Sequence, residues 1–443
     1  MARKIPTAGS VPFQWGTVVC PGRHALGRYS LGRRATALAA SLLAGLFMLL
    51  PPQIARAQDE AMRFFRIGTG STAGTYFPIG GILANAVSNP PGSRPCEDGG
   101  ACGVPGLVAV AVTTRGSVDN LRLLAAGQLD SALSQADVAV LAQTGRGAEI
   151  GAPLMPDLRA IASLYPESLH LVARNGSGIS DIKDLVGKRV SLDRTGSGSL
   201  VDARLVLAAA GIPLEALAVE NLDPEVAVDH LRDGSLDAFF FVGGYPAVSI
   251  GAAIEDGVAG LVPLSGALRD ELVSRHPFFV EDVIPRDAYN LPAPVGTVSV
   301  RALWVVREGL NPDLVYGLTR ALWSAPTRSL LDAGHAKGRL IRVETANLGV
   351  GVPLHEGAAR FYREWQAALD AAAAAEDADA ATAPPDAGAT PDAAGREEQP
   401  EDAAPAAPLD DLGTAPIIDR APAETAPEAP VPDHKPGTPA PAD

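Results

Sequence analysis

Read for the alternation of apolar and polar positions, the chain has a patterned middle and two ends that lack the pattern. In the middle, short apolar runs of strand length alternate with longer stretches spaced for helix. Positions 64–69 form a first strand, and 73–87 carry apolar residues at helical intervals. A second strand at 107–113 precedes a helix at 118–126, with Ser117 placed to cap it. The runs 130–133, 160–164 and 169–173 are short and mostly apolar, and read as buried strands. Strand 189–192 leads into helix 200–210. Strands at 216–220, 238–242 and 261–264 follow between further helices, then a longer strand at 297–306 and helices at 312–323 and 356–368.

This alternation predicts an α/β fold of mostly parallel sheets covered on both faces. About 310 patterned residues suit two such domains with an interdomain ligand cleft. With crossovers near Leu169 and Val300, the first domain is discontinuous, 58–167 plus 304–370, and the second is 168–303.

The ends read differently. Arg33 and Arg34 precede the apolar stretch 35–50, then Pro51-Pro52 and Ala55-Arg56-Ala57. That order is a secretory signal with cleavage after Ala57, so 1–57 is expected to be removed and the mature chain to be periplasmic. The apolar run, about 16 residues, is shorter than the ~20 a membrane span needs. From 371 to 443 the chain is Ala, Pro, Asp and Glu with no aromatic residue. Such a segment buries too little apolar surface to offset the cost of ordering it, and is expected to be a disordered tail.

Charge narrows the partners. The net charge is −15; the first 57 residues hold seven Lys/Arg and no acid, and 371–443 hold sixteen acids against three bases, which leaves −9 on 58–370. Nucleic acid needs a basic patch and is excluded as a partner. A small anion remains possible, because one local site can overcome a modest global charge. Cysteines agree with export. Cys20 falls in the removed segment, leaving Cys96 and Cys102 in the loop NPPGSRPCEDGGACGVPG. An even pair in an oxidising compartment predicts a disulfide. No His or second Cys pair stands near it, so no metal site is expected.

Two loops carry candidate chemistry. Ile67-Gly68-Thr69-Gly70-Ser71-Thr72-Ala73-Gly74-Thr75-Tyr76 joins a strand to a helix, and Asp193-Arg194-Thr195-Gly196-Ser197-Gly198-Ser199 takes the same position in the second domain. Glycines allow close backbone approach, and hydroxyls with the free N–H groups of a helix start can bind a carboxylate. The plainer alternative for either loop is a tight turn with a capped helix. Gly68-x-Gly70-x-x-Ala73 also matches a relaxed dinucleotide fingerprint, but Val112-Thr113-Thr114-Arg115 lacks the acid that would hold the ribose. The chain has no GxxxxGK[ST] and no G-x-S-x-G run. No cofactor is expected, and no acid/base constellation suggests an enzyme.

The run FFRIGTGSTAGTYFPIGGILANAVS resembles the start of the TAXI-type solute-binding subunits of tripartite ATP-independent periplasmic (TRAP) transporters. TRGSVDNLRLLAAGQLDSALSQADVA, LRAIASLYPESLHLVAR, SGISDIKDLVGKRVSLDRTGSGS, HLRDGSLDAFFFVGGYP, FVEDVIPRDAY and VPLHEGAARFYRE follow in matching order, spanning about 64–364. The resemblance implies two α/β domains joined by a hinge, closure on an organic acid or acidic amino acid, and delivery by a monomer to a TRAP-type permease. It offers Thr69, Ser71, Thr72, Thr75 and Tyr76 from the first loop, then Ser117, Gln135 and Tyr165. From the second loop it offers Thr195, Gly196, Ser197 and Ser199, and from FVGGYP Gly243 and Tyr245. Ser117 is equally a helix cap, Tyr165 equally hinge packing, and Tyr245 equally cleft wall. Arg194 stands where the resemblance suggests a smaller residue, and would either pair a ligand carboxylate or point to solvent. A periplasmic sensor that presents the same ligand to a signalling receptor is the alternative function.

Overall fold

Two long strands organise the molecule. The computed structural model describes residues 62–382. In it β6 (Leu158–Arg174) and β12 (Val295–Arg307) lie side by side, antiparallel, in the middle of a ten-stranded sheet. The sheet order is β4 (Leu107–Val112), β1 (Arg63–Gly68), β5 (Ser131–Gln135), β12, β6, β9 (Ala238–Gly243), β7 (Arg189–Ser191) and β8 (Ala218–Glu220). At the edges β10 (Ala259–Val262) pairs with β6 and β11 (Val280–Ile284) with β12. A separate ribbon joins β2 (Ser88–Asn89) to β3 (Val104–Pro105).

The outer strands fit the expected parallel pattern: β1 with β4 and β5, and β7 with β8 and β9, are parallel. The centre departs from it. The chain leaves the first half along β6 and returns along β12, so these two must run in opposite directions. The expected strands 160–164 and 169–173 are one strand, because Pro166 does not end it. Proline has no N–H for the ladder and is tolerated at a bulge. β6 carries one more residue than β12 between the pairs Ser163↔Leu303 and Pro166↔Arg301, which places such a bulge there.

Helices cover both faces. α1 (Tyr76–Val87), α2 (Ser117–Ala125) and α3 (Ala136–Gln143) belong to the first half. α4 (Gly198–Ala209), α5 (Pro224–Asp233), α6 (Val248–Glu255) and α7 (Ala267–Arg275) belong to the second. α8 (Pro312–Leu322), α9 (Ala325–Gly334) and α10 (Glu356–Thr382) return to the first. Local chemistry sets several starts: Asn311 caps α8 ahead of Pro312, and Ser324 caps α9. The run Phe239-Phe240-Phe241-Val242 shows how the core divides. Phe240 and Val242 enter one apolar cluster and Phe239 and Phe241 another, as the two-residue period of a strand buried on both faces requires. In the first half two further clusters flank β1, β5 and the ends of β6 and β12. The described residues through Asp377 belong to one compact unit.

Three other sequence expectations meet the structure here. Cys96 and Cys102 are disulfide-bonded. α10 runs to Thr382, twelve residues into the stretch expected to be disordered from 371. The run of alanines there has the highest helix propensity of any residue type and needs no packing to continue a helix already begun. The expected export signal, Cys20 and the tail beyond 382 lie outside the described residues. Among the described residues no helix is long and apolar enough to cross a membrane.

Trp304 on β12 is fully buried in the first half, and its indole N–H donates to Ser131 Oγ on β5 at 3.0 Å. Trp304→Ala should cost about 3–5 kcal/mol, read as a lowered urea midpoint at unchanged slope. A loss below about 1 kcal/mol would show that the crossover is not anchored there.

Candidate functional site

β1 ends at Gly68, where no side chain fits: a Cβ would stand 2.4 Å from Leu129 Cδ1 and 2.7 Å from Asn120 Oδ1. The chain then turns through Thr69–Thr75 into α1. In the second half the chain leaves β7 through Asp193, in the left-handed region at φ 76°, and enters α4. Asp tolerates that conformation better than most residues. Ser197 caps α4 by accepting from the Leu200 N–H at 3.1 Å. Both turns line one cavity of about 80 Å³ between the halves.

Eight of the expected site residues line it: Ser71, Thr75, Tyr76, Ser117, Gln135, Ser197, Ser199 and Gly243. Tyr76 donates to Glu167 Oε2 at 2.7 Å. Ser117 is the first residue of α2, after Gly116, and does not cap it. Its hydroxyl instead accepts from the Gln135 N–H at 3.1 Å and donates to Gln135 Oε1 at 3.3 Å. Ser199 Oγ accepts from the Val242 N–H at 3.0 Å.

Six do not line it. Thr69 is buried and donates to the Val112 carbonyl at 2.7 Å, tying the turn to β4. Thr72 and Thr195 are exposed on other faces of their loops. The Gly196 carbonyl accepts from the Asp119 N–H at 3.0 Å, a contact between the halves. Tyr165 is fully buried in the first-half core. Tyr245 packs its ring under Lys337, whose Nζ lies 3.5 Å from the ring centroid.

Contacts between the halves close the cavity. Arg194 lines the cavity and is engaged by protein groups. It pairs with Asp223 at 2.7 Å and crosses to donate to the Thr114 and Arg115 carbonyls at 2.9 and 3.2 Å. The Gly244 N–H donates to Thr75 Oγ1 at 3.0 Å, and Ser71 Oγ reaches Glu225 Oε1 at 3.4 Å.

Sequence reasoning missed the acids of the wall: Glu167, Asp193 and Glu225. Glu167 lies inside the strand-like segment SLYPE, where nothing local separates it from a solvated strand residue. Burial pushes its carboxyl up to about 8, against the opposing effect of the Tyr76 hydroxyl. Burial likewise raises Asp193 to about 7, opposed by the Arg194 N–H and the neighbouring serines. A carboxyl held neutral can donate a hydrogen bond into the cavity, so these acids do not exclude an anion.

Comparison with known proteins gives one family and a set of solved structures. The sequence profile of the NMT1-like family matches residues 67–365. MatC from Rhodopseudomonas palustris, solved with bound malate, aligns at 16% identity over 68% of this chain and 97% of its own, with a TM-score of 0.41. The alkanesulfonate-binding protein SsuA from Xanthomonas axonopodis pv. citri, bound to MOPS, aligns at 17% identity over 68% and 83%, with a TM-score of 0.37.

At Gly198 the halves lie too close for a side chain. A Cβ there would lie 1.3 Å from Gln135 Oε1 and 2.9 Å from Ser117 Oγ, both across the cleft. Gly198→Ala should therefore hold the halves apart while leaving α4 intact, since alanine suits a helix better than glycine. Small-angle scattering should give a larger radius of gyration than wild type at an unchanged melting temperature. Identical radii would mean that the contact yields without opening.

Proposed function

We propose that this chain, which belongs to the NMT1-like family, is an exported periplasmic solute-binding protein for a small organic acid or acidic amino acid. In this reading 1–57 is the cleaved signal, and the mature chain works as a monomer without catalysis. The domains are 58–167 plus 304–370 and 168–303, with β6 and β12 as the hinge. The closed form then docks on a membrane permease, of TRAP type by the resemblance of the seven ordered segments.

One observation carries the proposal. Two strand-to-helix turns, one from each half, face a single small cavity bordered by contacts between the halves. A ligand touching both turns favours the closed form by whatever it gains from the second. A helix start supplies about 0.3–1 kcal/mol to an exposed anion and up to ~2 when partly buried. The rest must come from hydrogen bonds, for which Ser71, Ser117 and Ser197 are placed. Ligand chemistry follows from the wall. A carboxylate is served by the α4 start together with Glu167 and Asp193 in their neutral forms. An ammonium is served by the same two acids ionised, which is how one site would accept an amino acid.

A thermal-shift panel tests this: malate, succinate, 2-oxoglutarate, aspartate and glutamate against the purified chain. A true ligand at 100 times its dissociation constant adds about 2.7 kcal/mol. Ser71→Ala and Ser197→Ala should each weaken whichever ligand shifts the transition. No shift with any of the five removes the carboxylate assignment, and unchanged affinity in both variants removes the site.

A further inference from the structure

Beside the cavity, where the halves touch, two carboxyl groups meet. Asp137 stands in the first turn of α3, in the first half, and Asp202 one turn into α4, in the second. Both are wholly buried. Gln135 Nε2 donates to Asp202 Oδ2 at 2.6 Å. Both oxygens of Asp137, and Oδ1 of Asp202, have no hydrogen-bond partner among the described residues. Backbone N–H groups at the start of α3 favour a charged Asp137 without reaching hydrogen-bond geometry. Gln135, two residues before Asp137, is the residue that holds Asp202, and the two carboxyl groups are near enough for each to act on the other's charge.

Two ionised carboxylates cannot share such a place. Each would lose its water, and each would repel the other at low dielectric. A proton resolves the conflict, because a neutral carboxyl donates and the other accepts. No cation takes that part. From the sheet the pair feels Glu167, which is another acid. Arg301 on β12 and Lys337 act on Glu167. On α2 Asp119 faces Arg115 and Arg122 donates to the Gly151 carbonyl, while Arg146 and Glu149 after α3 pair with each other at the surface.

We infer that closing the cleft takes up a proton from solvent, which Asp137 of the first half and Asp202 of the second then share. This rests on the reading of the two halves as a clamp. In an open form each carboxyl meets water and titrates near the ordinary value of about 3.9. In the closed form burial raises Asp137 to about 7 and Asp202 well above its ordinary range. The closed form is therefore fully favoured below pH ~4 and loses ground as pH rises towards 7 and beyond. Below pH ~7 both groups hold a proton in the closed form, so the ratio of closed to open falls about a hundredfold per pH unit between ~4 and ~7, and about tenfold above that, where one shared proton remains. Coupling through Gln135, which lines the cavity and also holds Asp202, links this proton to ligand affinity.

Pulsed electron–electron resonance between spin labels at Glu149→Cys and Arg204→Cys, in the full chain carrying Cys20→Ser, reads the opening without any ligand. Wild type should shift from a short to a long distance between pH 5 and 8. Asp202→Asn should respond less steeply by about one proton, because a neutral amide can donate to Asp137 without one; Asp137→Asn should do the same from the other half. Variants as steep as wild type overturn the inference. Two distances whose proportions ignore pH overturn the proton alone, whereas one unchanging distance overturns the clamp with it.

Discussion

The pairing of β6 with β12 is the constraint on which the rest depends. Seventeen residues of one strand and thirteen of the other run antiparallel at the centre of the sheet, and β5, β9, β10 and β11 pair antiparallel with them in turn. Each strand serves both halves: β12 pairs with β5 at one end and β11 at the other, and β6 pairs with β9 and β10 beyond the bulge. The halves are thus held by a continuous ladder, while the helix starts that line the cavity sit on shorter parallel strands to either side. A bend at the crossover moves the two turns relative to one another without breaking the ladder within either half. The bulge between Ser163 and Pro166 lies in that stretch, where Pro166 already forgoes a ladder hydrogen bond.

Element type was largely readable because periodicity is local. The apolar run Phe239 to Val242, the helical spacing after Ala73 and the proline start at 312 each announce themselves within a few residues. Direction and continuity were harder to read. Pro166 looks like a strand end until its bulge is seen, and antiparallel pairing at the centre follows from topology rather than from residue pattern. The site divides the same way. Glycine-hydroxyl turns mark themselves, so Ser71, Thr75, Ser197 and Ser199, which line the cavity, stand out in the sequence. Side chains whose role is set by a partner far along the chain were not. Ser117 reads as a cap until Gln135 is beside it, eighteen residues on. Arg194 reads as a ligand arginine until the carbonyls of Thr114 and Arg115, eighty and seventy-nine residues away, take up its donors.

Charge shows most clearly what a sequence conceals. Counted along the chain, Glu167, Asp193, Asp137 and Asp202 are four unit negative charges in and beside a cavity proposed for an anion. Counted in place, burial raises all four, and each has at hand a group that makes a neutral or shared form useful. Tyr76 donates to one oxygen of Glu167, whose carboxyl lines the cavity. Gln135 donates to one oxygen of Asp202 and leaves the other facing Asp137. The pattern is the same in both places: one neutral donor is supplied, and one position is left that only a proton or a ligand can complete. On the proposed clamp reading, the closed form is therefore disfavoured when empty and at high pH, and favoured once a ligand or a proton is supplied. A clamp that must release its cargo needs that asymmetry, since contacts that sealed the cleft equally well with and without ligand would never signal which state it held.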